Sequence, residues 1–324
     1  MDNLTHSLVG ALIGQAGLKK KTGLAMPALI IGANLPDVDA ACLFWLDGVE
    51  HLGFRRGITH GPPALVLLPL VLAGLLWGFD RWQAKRGSRP EGRLPVSFKW
   101  LYLLSFIGCL THPALDWLNV YGIRLLEPFS SRWFYGDTLF IIDVWLWALM
   151  GFATWFSLRR ERQGGEWMRP ARIAIAVALG YVGTNWVLTQ GSSVAAAINT
   201  KATGGVEPRD YSEIIASPVP FVPWQREIII GRKNSWYRGY ADELHGYEEP
   251  ISITEKQCAW PSYSELQSAR SQATTFLFWS RAPFAERAPD GSVLLRDARF
   301  YDPLARDRFT VALPDVKCVE LAPQ

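Results

Sequence analysis

Charge is scarce in this chain. Only 19% of its 324 residues are Asp, Glu, Lys or Arg, against roughly 25% in an ordinary soluble domain. The net charge of +3 is too small to point to nucleic acid, whose binding rests on neutralising many phosphates. Four cysteines are too few for a disulfide framework. Several catalytic motifs are absent: there is no HExxH zinc helix, no Walker A loop, no GxSxG elbow and no Rossmann fingerprint. Disorder is excluded for most of the chain, because 13% of residues are aromatic. No basic segment precedes the first apolar run and Asp2 is acidic, so that run does not read as a signal peptide.

The apolar residues that stand in place of charge come in long runs. Residues 61–79 carry no charge, and as a helix they span about 29 Å, close to a bilayer's hydrocarbon core. Residues 100–118 hold only His112 and Asp116 as groups that ionise near neutral pH. Residues 138–158 hold only Asp143, and no charge falls between Arg172 and Lys201. Core helices of soluble proteins are seldom apolar all round over such lengths, so four transmembrane helices are expected. Two shorter runs, 4–18 and 24–36, are separated by Lys19, Lys20 and Lys21. They read as a pair of short helices packed in the bundle or as one re-entrant hairpin, which membrane depth tolerates only under cover of protein or water.

Orientation follows from the loops. Residues 80–99 hold Arg81, Lys85, Arg86, Arg89, Arg93 and Lys99 against Asp80 and Glu91. Residues 159–172 hold Arg159, Arg160, Arg162, Arg169 and Arg172 against Glu161 and Glu166. By the positive-inside rule both face the cytoplasm. Residues 37–60, 119–137 and everything after about 195 then fall outside.

From about residue 200 the sequence reads as a soluble domain. Short β-like runs at 226–231, 274–280, 292–296 and 308–313 alternate with turn signals such as Pro289-Asp290-Gly291 and Asp302-Pro303. The expected fold class is mostly α. A polytopic helical membrane domain covers 1–198, and a smaller, soluble, β-rich extracytoplasmic domain covers 199–324. Cys258 and Cys318 both lie in the second part. An oxidising compartment would permit a disulfide between them; two buried thiols are the other reading.

Three of the five histidines stand in one small pattern, Thr5-His6, Thr59-His60 and Thr111-His112. Asp37 and Asp39 follow Pro36 at the end of the second short run. Asp116 lies four residues after His112 and faces the same way on a continuous helix. Asp143 is the lone charge of its run. On the expected topology all of these groups fall at the outer membrane face. Ionisable groups within a membrane are costly unless paired, so they default to functional candidates. Imidazoles and carboxylates are ligands for Zn²⁺, Mn²⁺ or Fe²⁺.

His60, His112 and Asp116 are the expected direct ligands, with His6 in the same set. Asp143 is either a ligand to a second ion or a partner that orients a ligand. The surplus of donors fits one or two ions, zinc or manganese first. Asp37 or Asp39, which the spacing does not separate, is expected to orient a water or accept its proton. Arg55 and Arg56 precede His60 by five and four residues. They suit neutralisation of a substrate phosphate or anchoring among headgroups. Plainer roles are helix capping for the 37–39 pair, a structural contact to Asn185 or an arginine for Asp143, and an incidental place near the terminus for His6. His51 and His245 read as ordinary surface histidines.

Taken in order, Met1-Asp2-Asn3-Leu4-Thr5-His6, Gly32-Ala33-Asn34-Leu35-Pro36-Asp37-Val38-Asp39, Arg56-Gly57-Ile58-Thr59-His60-Gly61 and His112-Pro113-Ala114-Leu115-Asp116 form a familiar set. It resembles the family of bacterial inner-membrane proteins known as membrane-bound, metal-dependent hydrolases, some of them LexA-regulated. The likeness continues through Tyr121-Gly122 and Trp133-Phe134-Tyr135-Gly136-Asp137 to Ile142-Asp143, and covers roughly residues 1–190. It implies a multi-pass protein of the inner (plasma) membrane whose motif residues are His6, Asp37, Asp39, His60, His112, Asp116 and Asp143. One departure is visible. Many members have proline after the last aspartate, where this sequence has Val144, so a smoother start to that helix is expected.

The reading that follows is a membrane-bound, metal-dependent hydrolase. It would cleave an ester, above all a phosphoester, at the outer face of the inner membrane. The bilayer is its setting, and a lipid or lipid-linked phosphate is the substrate class within reach. The alternative is a non-catalytic membrane protein with a structural polar or metal cluster. A transporter fits less well, because the inner halves of these helices offer almost no polar residues for a pathway.

Overall fold

The computed structural model describes residues 1–202, 211–232, 235–242, 246–253, 256–267 and 270–321. His245 lies outside the described residues.

The first half is helical. The helices are α1 (Asn3–Gln15), α2 (Ala25–Asn34), α3 (His51–Phe54), α4 (Pro62–Lys85), α5 (Phe98–Trp117), α6 (Val144–Arg162) and α7 (Met168–Ala202). Their starts are written in the sequence. Asp2 caps α1, accepting from the N–H groups of Leu4 and Thr5. Ser97 caps α5 and Asp143 caps α6. Pro62 and Pro63 open α4, where a missing N–H costs nothing. Helix α2 runs on without a break into a 3-10 helix, Leu35–Phe44.

Among the described residues, three helices are long and apolar enough to cross a membrane: Ala25–Phe44, Pro62–Lys85 and Met168–Asn199. Two of these match expected spans. The first does not, because α2 and the 3-10 helix together are longer than the apolar run at 24–36. Helices α5 and α6 have the length, 20 and 19 residues. Their polar groups, aromatic residues and, in α6, a basic end dilute the hydropathy, so composition alone marks three helices where four were expected. Exposure is inverted relative to a water-soluble bundle. Leu75 and Leu179 are each 67% exposed, while His6, His60, His112, Asp116 and Asn119 are fully buried. A bilayer solvates the former and rejects the latter.

The chain divides into two compact units, Met1–Asp39 with Arg56–Trp186, and Ala40–Arg55 with Val187–Gln324. In the first unit, small residues let the backbones approach. A Cβ on Gly108 of α5 would lie 2.5 Å from the Leu29 carbonyl oxygen of α2, and one on Gly10 of α1 would lie 2.7 Å from the same atom. The α2–α4–α5 core is filled by Ala28, Leu29, Leu72, Ala73, Leu101 and Leu104.

The second unit is β-rich. Strands β1 (Tyr211–Val219), β2 (Val222–Arg232), β3 (Ser235–Asp242) and β4 (Gly246–Tyr247) pair antiparallel in that order, and β5 (Ile251–Ser252) also pairs with β3. Strands β6 (Pro283–Arg287), β7 (Ser292–Asp297) and β8 (Val311–Lys317) form a second antiparallel sheet. Two short helices, α8 (Tyr263–Leu266) and α9 (Arg270–Trp279), lie between the sheets in sequence. The run 274–280 is therefore helix, not strand. A short continuous apolar run does not reveal its period, and here Ala273, Phe276 and Trp279 bury one helical face. Trp279 stacks on Phe300 and Phe309. Cys258 and Cys318 form a disulfide with their Cα atoms 5.3 Å apart, so the two-thiol reading is set aside. Cys42 and Cys109 are buried and take no part in a disulfide.

Candidate metal centre

Four segments of the first unit deliver the polar residues. Helix α1 brings His6, and the 3-10 helix after α2 brings Asp37 and Asp39. A short 3-10 turn, Ile58–His60, brings His60, and α5 brings His112 and Asp116. The rings of His6 and His112 stack with centroids 3.8 Å apart, and His60 stands 5.0 Å from His112.

Two groups of donor atoms arise: His60, His112 and Asp116; and His6, Asp37 and His112. His112 Nε2 is 3.6 Å from Asp116 Oδ2 and 3.8 Å from Asp37 Oδ1. His60 Nε2 is 3.7 Å from Asp116 Oδ2, and His6 Nε2 is 3.4 Å from Asp116 Oδ1. Donors bound tetrahedrally to zinc at about 2.0–2.1 Å stand roughly 3.4 Å from one another. The spacings here are that or slightly wider.

Hydrogen bonds decide which nitrogens face inward. His112 Nδ1 donates to the Ala33 carbonyl at 2.7 Å, which leaves the lone pair on Nε2. His60 Nδ1 meets Thr59 Oγ1 at 2.9 Å, and that hydroxyl donates to Asp39 Oδ2 at 2.8 Å. This chain puts the His60 proton on Nδ1 and again turns a bare Nε2 inward. Nε2 of His6, His60 and His112 is buried without a hydrogen-bond partner, and Asp116 Oδ2 meets Arg56 Nε in an ion pair at 3.0 Å. Buried polar atoms are nearly always satisfied, so the bare Nε2 atoms of His60 and His112 beside Asp116, and that of His6 in the second group, are lone pairs without an acceptor. A divalent cation fits them. His112 Nε2 has one lone pair and belongs to both groups, so it serves one ion at a time.

The 37–39 pair separates. A 3-10 helix turns about 120° per residue, so the two side chains leave it in different directions. Asp37 faces His112. Asp39 accepts the Arg56 backbone N–H at 2.9 Å as well as the Thr59 hydroxyl.

Arg56 is buried beside the cluster. Its Nε is 3.0 Å from Asp116 Oδ2, Nη1 donates to Asn119 Oδ1 at 3.1 Å, and its guanidinium lies over the Tyr121 ring. The Met1 amino nitrogen contacts Asp116 Oδ1. Arg55 ends the segment 40–55 of the other unit. Asp143 is in neither donor group. It caps α6 and accepts the Tyr181 hydroxyl at 3.0 Å. Asn119 escaped the sequence reading because an asparagine after a helix carries no distinctive signal. The repeated Thr-His dipeptide was a signal with mixed meaning. Thr59 orients its histidine, whereas Thr111 donates to the Gly108 carbonyl and Thr5 to Asp2.

The profile of the YdjM inner membrane protein family matches residues 1–191. The chain belongs to that family. The match encloses every residue of the cluster, and it makes the chain a multi-pass inner-membrane protein in keeping with its helices. An uncharacterized protein of Bacillus subtilis (strain 168), YfhP, is 28% identical over 141 residues, which are 41% of this chain and 39% of that relative. The chain thus spans well under half the length of that relative. No solved structure matches. This YdjM-family chain is a membrane protein with two His/Asp groups able to hold a metal.

Proposed function

We propose that this protein is a membrane-bound, metal-dependent hydrolase of a phosphoester presented at the outer face of the inner membrane. The observation that carries the reading is the convergence on Asp116 Oδ2 of His60 Nε2 and His112 Nε2, both buried and without hydrogen-bond partners. An ion held there, zinc or manganese by its donor chemistry, supplies an activated water and Lewis acidity. The chain's own residues do the rest. The Ala33 carbonyl and the Thr59–Asp39 chain fix two imidazoles, as outer partners of metal-bound histidines do. Arg56 holds Asp116 in place. Asp37, which faces His112 Nε2 at 3.8 Å, is the carboxylate placed to orient a water or take its proton. His6 and Asp37 offer room for a second ion. Asp143 acts at one remove, ordering the start of α6.

Residues 1–198 serve as the membrane domain and 199–324 as an extracytoplasmic domain. The Cys258–Cys318 disulfide supports that side, because such bonds persist in oxidising compartments. The basic loops at 80–99 and 159–172 support it independently.

The Arg56–Asp116 ion pair favours a second reading, a polar cluster that only holds helices together. Screening phosphomonoester, phosphodiester and carboxylester substrates in nanodiscs, with His112→Ala beside the parent, separates the two. Turnover that requires His112 supports the hydrolase. Activity unchanged in His112→Ala, or equal in a mock preparation, removes it.

A further inference from the structure

The first unit contains an apolar groove of about 300 Å³ between α1, α5, α6 and α7. Its wall includes Thr5, Thr111, Leu115, Met150, Ala178 and Leu179. Along α1 it runs from Thr5 to Ile13, about 12 Å at the helical rise. Three wall residues directly precede cluster residues on the same helices: Thr5 before His6, Thr111 before His112 and Leu115 before Asp116.

The two threonines do not make this wall polar. The Thr111 hydroxyl donates to the Gly108 carbonyl at 2.6 Å. The Thr5 hydroxyl donates to Asp2 and its oxygen accepts from Trp147 Nε1 at 2.9 Å. Both are satisfied within the protein, so the wall asks nothing polar of an occupant. A guest with donors or acceptors of its own would leave them unpaired there, which is costly in an apolar setting. Hydrocarbon carries no such penalty, and α7, which forms one wall, is long and apolar enough to lie in it. Polar groups gather instead at the Thr5 end, where Trp147, Asp143 and Tyr181 interact. The apolar wall thus adjoins the cluster through Thr5, Thr111 and Leu115.

We propose that this groove holds the acyl chain of the substrate, making the substrate a phosphate-bearing membrane lipid rather than a soluble ester. The headgroup end rests on the hydrolase reading above, and the chain end rests on the groove alone.

The test uses the full chain in nanodiscs containing phosphatidic acid in its non-hydrolysable phosphonate form, with a photoactivatable diazirine on its acyl chain. A parallel sample contains diacylglycerol bearing the same chain. Irradiation should label peptides around Met150 and Ala178 more heavily than those around bilayer-facing Leu75. Ala178→Trp and Met150→Trp, which fill the groove from separate helices, should each cut that labelling roughly tenfold, the loss of about two buried methylenes. Bound metal per chain should stay at the parent level in both, which also certifies their fold. Phosphatidic acid should label the groove roughly tenfold more than diacylglycerol. Labelling no heavier than at Leu75, or unmoved by both tryptophans, overturns the chain site. Equal labelling by the two lipids shows bulk bilayer chains in the groove and overturns its role in substrate binding. A parent protein without metal but with the groove labelled would remove the hydrolase reading while leaving the chain site standing.

Discussion

Arg56 and Asp116 form an ion pair across 3.0 Å in a fully buried setting, and the same aspartate faces three imidazoles. A buried carboxylate left without a cation costs several kcal/mol. Arg56 therefore neutralises Asp116 together with the Met1 amino group, and an ion held at the proposed centre would share that task.

Removing Arg56 should expose this division of labour. Arg56→Ala should destabilise the chelator-treated protein by about 3–5 kcal/mol, and zinc should restore much of the loss. Arg56→Lys should not rescue fully, because lysine cannot also reach Asn119 and cover Tyr121. Thermal unfolding in detergent with and without chelator is the measurement. Equal destabilisation under both conditions would show that Arg56 acts independently of the metal site.

Asp37 and Asp39 should part in function as they do in geometry. Asp37→Asn should spare a high-affinity ion and lower turnover by ~10²-fold or more, as loss of a general base does. Asp39→Asn should weaken metal affinity by roughly 10–100-fold, because it disturbs the chain that orients His60. Metal titration beside turnover measurements reads both. Identical behaviour of the two variants would contradict the assignment.

Topology is open to labelling. Single cysteines at exposed Ser88 and exposed Ser264, introduced into whole cells, should differ toward a membrane-impermeant maleimide. The Ser264 position should react from outside and the Ser88 position only after permeabilisation. Equal protection of both would count against the proposed orientation and against an extracytoplasmic disulfide.

Acid should act on the C-terminal unit through Asp297. Burial alone would raise this carboxyl, but the Arg299 guanidinium and the Ser280 hydroxyl hold it below its ordinary value of 3.8. The unfolded chain thus binds the proton more readily than the folded one. The stabilisation is complete above the ordinary value and fades as pH falls through the lower folded value. Melting of the full chain between pH 5 and 2 should show this loss, and Asp297→Asn should be less stable near neutral pH with a flatter acid profile. A parent slope retained in Asp297→Asn would assign the acid sensitivity elsewhere.

Much of this arrangement was legible beforehand because its signals are local. Apolar runs mark helices such as α4 and α7, and His112 and Asp116 share a face at helical spacing. The division between Asp37 and Asp39 was not legible, since it depends on the 3-10 phase after Pro36. Nor was the partner of Arg56: a cation before a histidine suits a phosphate as well as a buried carboxylate, and only the fold brings Asp116 to it. Residues 274–280 misled because threonines and aromatics favour strands, while burial of Ala273, Phe276 and Trp279 decides for a helix.

The central claim is that the imidazoles and carboxylates hold a metal, and the measurement is elemental analysis of the full chain purified without a His tag. The account predicts one or two zinc or manganese ions per chain in the parent protein. It predicts loss of that metal in His112→Ala, whose Nε2 belongs to both donor groups, and marked loss in Asp116→Ala. A folded parent protein that carries no transition metal and takes none up from added zinc or manganese would contradict it.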